Sequence, residues 1–406
     1  MTELSAVGVR LSVASVLLTL TSFAITANAI PPLTTSIARD LSTEYETFGY
    51  VFLFQYSCFA LASCVGGWAT ERLGLRPRLL VMGGVFAAGA AFLLGPLIQA
   101  FRWFVIWVVF LGLSGGLTET FSSIIIAGHD RPGSSKMINL SQVFYCLGAI
   151  GTPYVVAALL QAQIAWRTTF VFFGCATVAF GLIFASFYRD VRTEADQAAE
   201  RRGERVTGRA VINRKLFVLF AAAMFVYVIN EISLASWISP YFEKRLGISV
   251  PSAAWRLATF WTGLVVGRGL MLVLPDKLTQ IPSILLGAVG MTAGCVLLSV
   301  VGRSWLATAL VILVGLSAGP VWPGIVSLSR QSPRVTAVVI AVGALGAALG
   351  PLLSSYVIRY LGLQYFFPTI AGGCCVLVVI VVGVRRELNR SQEGDYAATD
   401  PRSSTC

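Results

Sequence analysis

Three ionisable residues, Glu119, Glu231 and Arg268, each lie inside a long apolar stretch of the sequence. A charge at the centre of a lipid-embedded helix costs roughly 2.5–3.5 kcal/mol on insertion scales, so a retained one is expected to face protein or water and to have a use. A carboxylate in such a place can accept a proton in one environment and release it in another. We predict that these residues couple proton movement to function, with Glu119 foremost. An alternative stays open for Glu231 and Arg268, which could neutralise each other as an ion pair.

Amide and aromatic side chains also lie inside the apolar stretches. Amides can donate and accept hydrogen bonds with hydroxyl groups, and aromatic rings cover the apolar part of a ring-shaped solute. We therefore predict a site for a hydroxylated, partly apolar solute, formed by Asn28, Asn139, Gln142, Tyr227, Asn230, Trp237, Trp261 and Trp322. Interhelical hydrogen bonding by Asn139 and Gln142, and plain packing by Trp261 and Trp322, are the alternatives.

Other residues that often do chemistry are sparse. The sequence has one histidine, His129, and eight cysteines with no CxxC or Cys/His spacing. A catalytic triad, a histidine-based metal site or a zinc site needs more partners than these. The sequence therefore predicts no enzyme, no metal site and no cofactor.

The elements that must position these residues are membrane helices. Of the 406 residues 56% are hydrophobic and only 12% are charged, and the mean hydropathy is +0.78, which leaves too little polar material to coat a water-soluble domain. About 20 apolar residues in a helix span a bilayer. Twelve runs of that kind predict an all-α integral membrane protein, at 11–36, 48–69, 79–98, 103–127, 137–162, 168–187, 216–241, 257–274, 281–301, 305–328, 335–358 and 363–384.

The net charge of +11 is explained by the orientation of the helices in the membrane. Most of the Lys and Arg residues fall in the connections on the side of the two termini, and basic residues are enriched in cytoplasmic loops. We predict an inner-membrane location with both termini cytoplasmic. The predicted partners are the lipid bilayer, protons and a small solute, with no nucleic acid, and the chain is expected to be monomeric.

Similar residues recur at similar intervals in the two parts of the chain. Asn28 precedes Asn230, and Glu71-Arg72 precedes Asp276-Lys277, by similar intervals, which predicts a duplicated six-helix bundle with a solute site between the copies. The expected organisation is an amino-terminal bundle at 1–187, a polar cytoplasmic linker at 188–215, a second bundle at 216–385 and a disordered cytoplasmic tail at 386–406.

After the second apolar run the sequence reads Gly67-Trp68-Ala69-Thr70-Glu71-Arg72-Leu73-Gly74-Leu75-Arg76. This segment resembles the Gly-x-x-x-Asp-Arg-x-Gly-Arg pattern of the major facilitator superfamily, with Glu in place of Asp and the last Arg displaced by one position. The resemblance implies twelve helices in two pseudo-symmetric bundles and alternating access. It implies gating roles for Gly67, Glu71, Arg72 and Arg76, and for Asp276 at the repeat position.

Three shorter segments are similar to the fucose permease group of sugar–proton symporters. They are Gly112–Thr120, Asn139–Ile150 and Phe260–Arg268. The likeness implies a cavity glutamate at Glu119 and a cavity asparagine at Asn139, and it implies symport of a monosaccharide with protons. Where those symporters carry a carboxylate in the first helix, this chain has Asn28. A proton-coupled exporter or flippase of an amphipathic drug, metabolite or lipid-linked glycan remains the alternative, and a sensor that binds without transporting is a further one.

Overall fold

The computed structural model describes residues 6–127, 136–189, 214–273, 281–329 and 333–399. Within them the chain forms twelve long helices. They are α1 (Ala6–Asn28), α2 (Phe48–Leu73), α3 (Pro77–Leu94), α4 (Phe101–Ala127), α5 (Lys136–Gln161), α6 (Trp166–Phe187), α7 (Arg214–Lys244), α8 (Val250–Val273), α9 (Ile281–Val300), α10 (Ser304–Ala318), α11 (Pro333–Leu361) and α12 (Phe366–Thr399). The predicted all-α membrane fold with twelve helices is confirmed.

Two of the predicted spans contain a break. The first, at 11–36, ends as a helix at Asn28, and after the prolines Pro31 and Pro32 a short helix Thr34–Asp40 follows. The tenth, at 305–328, is divided by Gly319-Pro320 into α10 and a short helix Val321–Leu328. Proline has no N–H to donate and therefore interrupts a helix.

The surface of the helices is what a bilayer requires. Eleven helical stretches in the described part of the chain are long and apolar enough to cross a membrane. The remaining long helix, α8, carries Arg256 and Arg268 and completes the second set of six. Large apolar side chains such as Leu286, Val300 and Val379 are more than 70% exposed, because lipid rather than water covers them.

The two sets of six helices have the same internal packing. In the first set α1 packs on α5 and α6, α2 packs on α4, and α3 packs on α4 and α6. In the second set α7 packs on α11 and α12, α8 packs on α10, and α9 packs on α10 and α12. The halves meet through α5 against α8 and α2 against α11, which are also equivalent pairs. The predicted pseudo-symmetry is therefore present in the packing.

Glycines at equivalent positions explain why this packing is close. Gly112 and Gly116 of α4 lie against backbone carbonyls of α2, and Gly315 of α10 and Gly319 directly after it lie in the same way against α8. Small residues allow membrane helices to approach closely. These glycines thus serve helix packing.

The predicted domain boundaries remain a prediction, since most of the linker lies outside the described residues. The tail is described in part: α12 continues into it, to Thr399. Leu388 packs against the core, and Glu387 pairs with Lys215 at 2.6 Å, which ties the start of this segment to α7.

The end of the bundle opposite the two termini, here called the far face, is closed by contacts between the halves. Arg359 pairs with Glu44 at 3.4 Å, and the Tyr50 and Tyr356 hydroxyls form a hydrogen bond. Trp237 packs edge-on against Phe52. The end that carries the termini is called the near face.

Further contacts close the far face around Glu243 of α7. This carboxylate pairs with Arg39 at 3.7 Å and accepts a hydrogen bond from Thr35, both of which belong to the short helix after α1. Its side chain is only 10% exposed, whereas that of Arg39 is 70% exposed, so the ion pair is open to solvent on the arginine side.

Candidate functional site

A cavity of about 190 Å³ lies between the halves. Its walls come from α1, α2, α4 and α5 on one side and from α7, α8, α11 and the short helix Val321–Leu328 on the other. Five of the predicted site residues line it, namely Glu119, Gln142, Glu231, Arg268 and Trp322. All three ionisable residues found inside apolar stretches therefore face one central space.

Glu119 projects from α4 and is partly exposed within the cavity. The hydroxyls of Thr120 and Ser123 donate to its two carboxylate oxygens, each at 3.4 Å. No ion pair of Glu119 is present among the described residues. A carboxylate held by weak hydroxyl donors, without a cation, is suited to changing its protonation state at low structural cost.

Arg268 of α8 has more partners than any other side chain in the cavity. Its Nη2 lies 3.7 Å from Glu231 Oε1, and its Nη1 donates to Gln142 Oε1 at 3.3 Å and to Cys146 Sγ at 3.4 Å. Its Nε is buried and has no hydrogen-bond partner in the described part of the chain. The ion pair expected as an alternative is thus present but loose, and it leaves a donor of the guanidinium free.

The arginine also links the halves. Glu231 belongs to α7 in the same half as Arg268, whereas Gln142 and Cys146 belong to α5 in the other half. A ligand that takes donors from Arg268 therefore changes a contact across the interface.

Aromatic rings form much of the remaining wall. Phe23 packs at 5.6 Å from both Phe59 and Tyr145, measured between ring centroids, and Tyr56 lines the same space. The sequence analysis missed these rings because each lies in an ordinary apolar run. Tyr145 could have been found, since it lies three residues after Gln142 and so shares its helix face.

The other predicted solute-binding residues of known placement do not line the cavity. Asn28 and Asn230 donate to carbonyls of their own helices, Ala24 O at 2.9 Å and Val226 O at 2.7 Å. The Tyr227 hydroxyl donates to Ala318 O at 3.0 Å. These polar groups satisfy backbone acceptors in an apolar surrounding, which removes the cost of burying them.

Two predicted tryptophans lie behind the cavity wall, and a third residue cannot be placed. Trp237 donates to Pro351 O at 3.0 Å in the seal of the far face. Trp261 is 1% exposed and packs edge-on against Tyr145 at 6.1 Å, so it supports a ring that does face the cavity. Asn139 belongs to α5, but its side chain lies outside the part that the structure describes.

Four of the predicted gating residues, Gly67, Glu71, Arg72 and Arg76, belong to the near face. Gly67 of α2 has open space where a side chain would begin, so no helix approaches it in this arrangement. Arg72 and Arg76 are exposed. Asp276 and the side chain of Glu71 lie outside the described part, and the gating role of the whole set remains a proposal.

Comparison with known proteins places this fold. The model of the Major Facilitator Superfamily matches residues 15–333. A protein TsgA homolog of Edwardsiella ictaluri (strain 93-146) is 20% identical, with 86% of this chain and 88% of the relative covered.

Solved structures show the same fold. A bacterial homolog to the human lysosomal transporter Spinster, in an inward-facing and occupied conformation, has a TM-score of 0.73 at 15% identity, covering 95% of this chain and 98% of that one. A D-xylose–proton symporter also has a TM-score of 0.73 at 15% identity, covering 93% of this chain and 97% of the other. The family match spans most of the chain, and the chain belongs to the Major Facilitator Superfamily.

Proposed function

We propose that this multi-pass membrane transporter couples the movement of a small polar solute to protons, with Glu119 as the proton-binding residue and Arg268 as the main solute-binding residue. The observation that carries the proposal is that a carboxylate with no ion pair in the described segments and a loosely paired guanidinium, from opposite halves, face one cavity. The near face is expected to be cytoplasmic and the membrane to be the inner membrane. In that orientation the closed far face makes the structure inward-facing.

The proposed coupling uses the link across the halves. A solute at Arg268 takes donors that now hold Gln142 and Cys146, and protonation of Glu119 removes a negative charge from the same space. Both changes lower the cost of closing the cavity, since a closed cavity excludes water from any remaining charge. Reorientation is therefore easy only when solute and proton are bound together.

Arg268 favours a solute with an anionic group, because guanidinium binds carboxylate or phosphate with paired, charge-assisted hydrogen bonds. A neutral monosaccharide, the class predicted from sequence, is the second candidate. It is supported by Gln142, Tyr145 and Trp322, which offer one amide and ring faces, and by the fold shared with the D-xylose–proton symporter. The amphipathic molecule that the sequence analysis gave as the alternative solute also belongs to the anionic class if it combines an anionic group with an apolar tail.

Uptake into proteoliposomes under an imposed pH gradient tests both the solute class and the proton coupling. Glucose and glucuronate share a ring and differ by one carboxylate, so we expect Arg268 to favour glucuronate. The substitution Glu119→Gln should abolish uphill accumulation and leave solute exchange intact, whereas Glu387→Gln, a control outside the cavity, should leave both intact. Accumulation that follows the pH gradient unchanged in Glu119→Gln would contradict the assignment of the proton site.

A further inference from the structure

A second space, here called the side compartment, adjoins the central cavity. It has a volume of about 180 Å³ and lies between α5, α8 and the short helix Val321–Leu328. Gln142, Arg268 and Trp322 line both spaces. These three side chains therefore form the partition, and the guanidinium of Arg268 is reached from either side.

The side compartment is apolar beyond that partition. Its other lining residues include Val143 of α5 and Val265, Gly269 and Met271 of α8. Burial of hydrocarbon against such a wall is favourable, whereas water gains few hydrogen bonds there. The compartment thus offers one cationic end and an apolar remainder.

The compartment lies next to the lipid-facing surface. Val143 is 38% exposed and Leu147, one turn further on α5, is 55% exposed, while Val266 and Leu270 of α8 are 51% and 45% exposed. Exposed apolar side chains in membrane helices face acyl chains. An apolar molecule in the bilayer would therefore meet the compartment between α5 and α8.

An apolar groove extends the space further. It has a volume of about 390 Å³, lies between α8, α9 and α10, and shares Met271 with the side compartment. Leu286, one of its lining residues, is 75% exposed. Met271 thus lies between the side compartment and an apolar groove that is open to the lipid-facing surface.

We propose that the side compartment binds the single hydrocarbon tail of an amphipathic organic anion whose head group binds Arg268. The inference rests on the proposed function and specifies its solute class. Charge complementarity determines the head group, because Arg268 Nε is buried without a partner among the described residues and the paired carboxylate of Glu231 is 3.7 Å away. The volume of about 180 Å³ is below the range of about 300–1,000 Å³ typical of small-ligand sites, which fits one hydrocarbon chain better than a two-chain phospholipid.

Three probes separate the roles of charge and tail. Glucuronate has the anionic head alone, octyl glucuronide has head and tail, and octyl glucoside has the same tail on a neutral head. Equilibrium binding to the full-length protein in nanodiscs, corrected with empty nanodiscs, should show octyl glucuronide binding at least tenfold more tightly than either of the others. Equal binding of the two octyl compounds, or no gain from the tail, would overturn the proposal.

A glycine substitution tests the location of the tail. Gly269 lines the side compartment, and no neighbouring atom lies within 4 Å of the position that a Cβ would take there, so Gly269→Leu fills the compartment without displacing the backbone. It should remove the advantage of the octyl tail and leave glucuronate binding unchanged. Gly83 of α3 has equally open space and is distant in sequence from the compartment, so Gly83→Leu is the matched control. An unaltered tail advantage in Gly269→Leu would place the tail elsewhere and refute the proposal.

The two proposals can fail separately. Proton-driven accumulation of glucuronate with no advantage for the octyl compound would refute the side compartment and keep the transport proposal. Tight, Gly269-dependent binding of octyl glucuronide without any proton-driven movement of glucuronate would keep the compartment and refute the coupling.

Discussion

The closed far face depends on a contact that a single methyl group should break. Gly49 of α2 lies so close to α11 that an added Cβ would be 2.5 Å from Ser355 Cβ and 3.2 Å from Leu352 Cα. Neither distance is compatible with an ordinary carbon–carbon contact, and Leu352 Cα belongs to the backbone. A side chain at position 49 must therefore push α2 away from α11, which opens the far face.

The expected shift follows from the cost of overpacking, about 1–3 kcal/mol for inserted methyl or methylene groups. That cost applies only when α2 and α11 are in contact at the far face. A free-energy difference of about 1–3 kcal/mol changes the ratio of two conformations by about 5–150-fold. Gly49→Ala should lie at the low end of this range and Gly49→Val at the high end, and neither disturbs the packing inside one half.

The assay is a distance measurement by pulsed electron resonance. Spin labels on genetically encoded keto residues at Arg102 and Gln364, which lie at the far face in opposite halves, avoid the native cysteines. The longer distance should gain population in the order wild type, Gly49→Ala, Gly49→Val. Ser355→Gly removes the nearest atoms and should return Gly49→Ala towards the wild-type distribution. An identical distribution in wild type and Gly49→Val would refute the reasoning.

Three further outcomes are expected. Glu243→Gln, which weakens the pair with Arg39, should favour far-face opening by about 0.5–1 kcal/mol in the same distance assay, and the effect should vanish near 1 M salt, where the Debye length is about 3 Å. Gly116→Val should lower the free energy of unfolding by about 1–3 kcal/mol, because the α2 backbone occupies the space that the new side chain needs. Thermal unfolding in detergent measures this loss, and Gly83→Val, the control, should leave the stability unchanged. Arg268→Lys should weaken glucuronate binding about 10- to 100-fold, since one ammonium cannot replace the paired guanidinium bonds; wild-type affinity in the nanodisc assay would contradict it.

Much of the fold could be predicted because its causes are local. Apolar runs of sufficient length must be helical in lipid, and this gave the twelve helices. The sequence contains Pro31-Pro32 and Gly319-Pro320, but it did not predict that the helices end there, because proline is tolerated in some membrane helices. Whether a chain bends or stops there depends on packing with neighbouring helices, which a linear pattern does not contain.

The candidate site divides in the same way. Glu119, Glu231 and Arg268 could be picked out because burying a charge in lipid is costly wherever it lies. Asn28 and Asn230 were predicted with them but bond to carbonyls of their own helices. An amide can satisfy itself locally, whereas a charge requires a partner or water, so only the charges report reliably on the position of the cavity.

The duplicated architecture explains how one cavity can be opened from two sides and still bind an asymmetric solute. The equivalence of Gly116 with Gly319 makes Trp322 the counterpart of Glu119, and both line the cavity. Gly148 of α5 lies against Thr21 O of α1 as Gly346 of α11 lies against Phe225 O of α7, so the counterpart of Gln142 is Ile340, which also lines the cavity. The repeat thus duplicates the helix contacts, but at these two positions the first half has a carboxylate and an amide where the second half has apolar side chains, and the charges of the second half, Glu231 and Arg268, lie at other positions. A solute with one polar end would be oriented by this difference in both states, because the chemistry of the two walls does not exchange when the halves move.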